Sequence, residues 1–145
     1  MSDEGSLVRL DLTEDERRLL WCGLVEWGGP ARPHDGVAHA IGFANLADFE
    51  TGRRRLQAAL DRNDALSAQD WSRVLLATEI VFVSDVVGSG IDWSITTGLQ
   101  DDETIRLLRQ IQRKAPRWRG SVQFSVGDDN AVTIADPERP DPASR

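Results

Sequence analysis

The sequence predicts a mainly α fold: a single helical bundle of four or five helices with a C-terminal β-hairpin added to one end. Three observations predict it. Apolar residues recur at three- and four-residue spacing in successive segments, each opened by a side chain able to cap a helix. Runs of glycine and proline fall between those segments. After Pro116 the apolar period changes from that of a helix to strict alternation.

The first helix is expected at Thr13, because Thr13 and Glu16 have the spacing of a capping box and Glu14, Asp15 and Glu16 lie on the positive dipole end. Leu20, Leu24 and Trp27 form its apolar face, Trp21 and Val25 widen it, and Gly28-Gly29-Pro30 stops it. Asp35 is the expected cap of a short helix through Val37, Ile41 and Phe43. Asn45 opens a longer one carrying Leu46, Phe49, Leu56 and Leu60. Ser67 caps the next, with Trp71, Val74, Leu75, Thr78 and Phe82 on one side and Leu76, Ile80, Val83 and Val87 on the other. Apolar on both sides, this helix is expected to be the central one. A buried strand over 79–87 is the competing reading, disfavoured by length and by the upstream cap. Residues 91–100 read as a structured loop holding Trp93. Asp101 or Asp102 then caps a helix with Ile105, Leu108 and Ile111 inward, closed by Pro116. Val122, Phe124 and Val126, a turn at Gly127-Asp128-Asp129-Asn130, and Val132 and Ile134 make the hairpin.

A chain of 145 residues suits one domain, expected over 1–135, with a proline-rich polar tail at 136–145 expected to be disordered. Cys22 is the only cysteine, so no internal disulfide is possible and a reducing, cytoplasmic setting is expected. The acidic N-terminus does not resemble a signal peptide, and the densest apolar stretch, 80–87, is too short to span a bilayer. No membrane partner is expected. The net charge of −7 opposes binding to nucleic acid and favours a basic partner.

No catalytic, cofactor or metal motif is legible. His34 and His39, the only histidines, are five residues apart and would point about 140° apart on a helix. Gly88-Ser89-Gly90 lacks the lysine of a phosphate loop and the preceding glycine of a nucleophile elbow, so helix termination accounts for it better. Cys22 has no local base and reads as an inert buried thiol.

Three candidate sites remain. Asp11, Glu14, Asp15 and Glu16 form the densest expected surface cluster of acids and are the candidate partner-binding residues. Glu79, Asp85, Asp92 and Trp93 form an alternative ligand or hydrolytic site near the glycine bend; the structural reading pairs Glu79 and Asp85 with arginines such as Arg53 to Arg55. Arg106, Arg109, Arg113 and Arg117 lie on one helix face as an alternative nucleic-acid site, beside Trp118. Elimination favours a non-catalytic acidic domain that binds another, basic protein. Immunity-type inhibitors of cationic toxins or enzymes share this size and charge, an analogy that no motif supports.

Overall fold

The computed structural model describes residues 6–116, 123–126, 128–129 and 132–135. Among the described residues, six α-helices and two small antiparallel strand pairs make up the mainly helical fold. The predicted tail at 136–145, and Arg117, Trp118 and Arg119, lie outside the described residues.

Helix α1 (Glu14–Val25) starts where the capping chemistry requires. Thr13 Oγ1 accepts from the Glu16 N–H at 3.1 Å, and Glu16 Oε1 accepts from the Thr13 N–H at 2.7 Å. Leu19, Leu20, Cys22 and Leu24 are buried, and a 3₁₀ turn over Glu26–Gly28 carries Trp27 into the core. The Trp27 indole donates to the Ala77 carbonyl at 3.1 Å, so a large apolar ring is buried with its one donor satisfied. Trp21, expected on the inner face, is instead exposed at the edge of the buried arc.

Helix α2 (Asp35–Ile41) has its cap one residue earlier than predicted: His34 Nδ1 accepts from the Val37 N–H. Asp35 instead accepts from the Leu46 N–H at 2.8 Å and ties α2 to the start of α3 (Leu46–Asp61). Asn45 caps α3 as expected. A two-residue pair, β1 (Leu7–Val8) with β2 (Leu66–Ser67), holds the preceding chain against the start of α4 (Ala68–Val83). There the Trp71 indole donates to the Val8 carbonyl at 2.8 Å.

Ser67 caps α4 as predicted, but α4 is not the central helix. Its buried residues, Trp71, Val74, Ala77, Thr78, Val81 and Phe82, occupy one side. On the other side Leu76 and Ile80 are half-buried and Val83 is 73% exposed. The centre belongs to α1, which packs on α3, α4 and α6. Gly23 makes this possible. A Cβ there would stand 2.7 Å from both Cβ and Cγ2 of Thr78, closer than real contacts allow. Thr78 is itself fully buried and donates to the Val74 carbonyl at 2.9 Å, so it has nowhere to turn.

The predicted loop after α4 contains a 3₁₀ turn over Gly90–Asp92 and a short helix, α5 (Trp93–Thr97). Trp93 is fully buried, donates to Thr104 Oγ1 at 3.0 Å and meets Phe82 edge-on at 5.6 Å. Those contacts order the segment, and they come from α4 and α6 rather than from local sequence.

Helix α6 (Asp101–Lys114) starts with no side chain of the cap residue, Gln100, bonded to it; Asp101 and Asp102 lie inside the first turn, favoured there by the dipole, and Asp102 Oδ1 also accepts from the Glu103 N–H at 2.9 Å. Its inner face is Thr104, Leu107, Leu108 and Ile111, at spacings of three and four. Ile105, predicted inward, lies about 100° from Thr104 around the axis and is 51% exposed. The strand pairing of the predicted hairpin is present: β3 (Gln123–Val126) pairs antiparallel with β4 (Val132–Ala135), Phe124 opposite Ile134, while Val122, Gly127 and Asn130 lie outside the described residues.

Gly23→Ala should destabilise the fold by about 2–3 kcal/mol in urea unfolding, despite alanine's higher helix propensity, because the new methyl meets an immobile Thr78. An unchanged midpoint would mean that α1 and α4 can separate without loss.

Candidate functional site

Of the four acids predicted at the start of α1, the structure leaves three on the surface. Asp11, Glu14 and Asp15 are exposed and have no ion-pair partner among the described residues. Glu16 corrects the expectation: it is fully buried. The capping box folds its carboxylate back over the helix start, where Lys114 Nζ from the end of α6 approaches Oε1 at 2.6 Å. Lys114 also donates to the Asp11 carbonyl at 2.8 Å, so the only lysine of the chain is consumed here. Burial acts to raise the Glu16 pKa, but the Lys114 ammonium and the hydrogen bonds with Thr13 outweigh it and hold the carboxyl below its ordinary value.

Glu14 also lines a groove between α1 and α3, of about 250 Å³, with Arg17, Arg18, Trp21, Leu60 and Asp61. The two arginines are turned to backbone: Arg17 reaches the Leu60 and Asp61 carbonyls, and Arg18 donates to the Thr97 carbonyl at 3.1 Å. The groove thus brings the exposed Trp21 ring together with two carboxylates, Glu14 and Asp61, and two guanidiniums whose charge the backbone bonds do not neutralise.

The second predicted group is dispersed. Glu79 lines a groove of about 260 Å³ between α4 and α6, with Phe82, Val83, Ile105, Leu108, Arg109 and Gln112. Asp85 and Asp92 are exposed and line no part of it, while Trp93 is in the core. Asp85 Oδ1 accepts from the Ile91 N–H at 3.0 Å and shapes the turn at Gly90, whose φ of +51° suits glycine. The expected pairing of Glu79 and Asp85 with arginine is not what forms. Glu79 Oε2 accepts from Gln112 Nε2 at 2.9 Å. Arg53 bonds Glu50 and Gln57 within its own helix, and Arg55 makes a two-pronged bond to Asp70 at 2.9 and 3.1 Å. Burial raises the Glu79 pKa; the Gln112 bond and the nearby Arg109 charge oppose it without cancelling it.

Asp70 was not singled out from the sequence. It joins Arg55 of α3 to Arg73 of α4, and Arg73 goes on to bond the Gly42 carbonyl at 2.8 Å and cover the Phe43 ring at 4.9 Å. Desolvation works against the Asp70 charge, but the two guanidiniums hold its carboxyl below the usual range. This is a stabilising clamp between helices. The opposite holds at Cys22, where burial pushes the thiol pKa up, as an inert sulfur requires.

Arg106, Arg109 and Arg113 are exposed on α6, and Arg109 donates to Gln112 Oε1 at 2.8 Å. Among the described residues, no group of three or more His, Cys, Asp or Glu side chains is placed to hold a metal ion, and no helix is long and apolar enough to cross a membrane. No known family model, curated protein or solved structure matches the chain.

Glu16 and Glu79 predict opposite pH behaviour. The lowered pKa of Glu16 contributes stability that is present above the ordinary carboxylate pKa and is lost as pH falls through the lowered value. Lys114→Met should therefore cost about 3 kcal/mol at neutral pH, by stranding a buried carboxylate, and less in acid; an equal loss at both pH values would contradict the pair. The raised pKa of Glu79 makes stability fall as pH climbs from the ordinary value through the raised one. Glu79→Gln should leave neutral-pH stability equal or higher, by less than about 1 kcal/mol, and flatten that decline. A clear loss in urea unfolding would show that the charge itself is needed.

Proposed function

We propose that this chain is a non-catalytic protein-binding domain that recognises a basic partner through the acidic start of α1. One observation supports it above the others: the buried Glu16 and the half-buried Asp70 are neutralised by Lys114, Arg55 and Arg73, and the buried Glu26 accepts from the Thr96 hydroxyl, while Asp11, Glu14 and Asp15 are left exposed with no ion-pair partner among the described residues. The negative field of a chain of net charge −7 is thus carried by its surface, where it speeds encounter with a cationic protein. The groove beside Glu14 supplies an aromatic anchor: Arg17 and Arg18 balance its two carboxylates, so the attraction for a cation comes from Asp11 and Asp15, and an apolar side chain or the stem of a basic one would lie over the Trp21 ring. An inhibitor of a cationic toxin or enzyme, acting by blocking its basic surface, is the form of this function that size and charge favour.

The test is a capture from the native host followed by association kinetics with the captured protein. Reversing Asp11, Glu14 and Asp15 together should slow association several-fold at low salt and much less at high salt, whereas Trp21→Ala should mainly hasten dissociation. Association rates that ignore both salt and charge reversal would reject steering by this face. Glu16 is left intact, since replacing it would test folding.

A further inference from the structure

A separate face of the molecule carries an inference that goes beyond this reading. Five of the seven exposed large apolar side chains among the described residues, Val83, Val86, Ile91, Ile95 and Ile105, come from the stretch between the end of α4 and the middle of α6. Val83 and Ile105 line the same groove, floored by Phe82 and Leu108. An apolar pair held at a groove rim at 73% and 51% exposure is costly in water unless another surface covers it.

The charges flanking Ile105 indicate what that surface is. Asp101 stands four positions before Ile105 and Arg109 four after, so all three share one side of α6. Asp101 and Arg109 are exposed, and neither has an ion-pair partner among the described residues. A helix stripe that reads acid, isoleucine, base at equal spacings is complementary to itself run backwards.

We propose that this face pairs with a second copy of the chain: the two α6 helices lie antiparallel about a two-fold axis through Ile105, Asp101 of each copy against Arg109 of the other. Such an isologous contact closes on itself and uses each patch once. Ile105 and Val83 of both copies form its dry centre, and its limited extent places it among weak, reversible interfaces. The start of α1 lies outside the pairing stripe, so dimerisation and capture of a basic partner are separate properties with separate readouts.

Sedimentation of the whole chain at about 100 μM tests this. Wild type should sediment as a reversible dimer, and Ile105→Asp should be monomeric. D101R alone, or R109D alone, puts like charges opposite one another and should weaken dimerisation at least about tenfold. An equimolar mixture of those two variants restores acid against base at both contacts and should form a heterodimer, and the double variant D101R/R109D should again form a homodimer. Circular dichroism confirms that each variant is folded, which the exposure of both positions favours. A wild type that stays monomeric, single variants that dimerise as wild type does, or a mixture that stays monomeric would each overturn the proposal.

Discussion

The contact on which the rest of the fold depends is the approach of α1 to α4 at Gly23 and Thr78. Without a side chain at position 23 the two backbones come close enough for Trp27 to reach α4 and bond its Ala77 carbonyl. That approach puts α1 in the middle, with α3 and α6 against its remaining sides. It also explains why α4, the most apolar helix, is half-exposed. Only one of its faces is needed against α1, and the other is left as one wall of the groove with α6.

Charge is distributed by the same geometry. Where helix ends converge in the interior, acids are accompanied by bases from distant parts of the chain: Glu16 by Lys114, and Asp70 by Arg55 and Arg73. Each pair satisfies hydrogen bonds and joins two helices, so breaking one strands a charge rather than merely losing a contact. Glu26 and Glu79 are exceptions. Glu26 is buried and accepts from the Thr96 hydroxyl, and Glu79 is half-buried against a neutral amide, where burial raises its pKa.

Two surfaces result, of different character. The start of α1 offers exposed carboxylates, and the neighbouring groove an exposed Trp21 beside charges of both signs. The α4–α6 side offers exposed isoleucine and valine between an acid and a base, a chemistry suited to a second helix of the same kind. The residues proposed from sequence as one ligand site near the glycine bend are distributed instead among a groove, a turn and the core.

What the sequence determined by itself was local. The capping box at Thr13 and Glu16, the caps at Asn45 and Ser67, the stop at Gly28 to Pro30 and the alternation in the hairpin are each satisfied within a few residues, so reading along the chain was enough. Burial and partnership were decided by the tertiary structure. Ile105 and Leu107 are almost equally good inward residues by periodicity, and only the position of α1 selects Leu107. The order of 90–97 depends on Trp93 meeting Phe82 and Thr104, two helices that no local signal brings together. Glu16 could be read as a cap but not as a buried ion, because its partner Lys114 lies 98 residues away. A hydrogen bond across three residues is encoded in spacing; a charge pair across the fold exists only once the helices have packed.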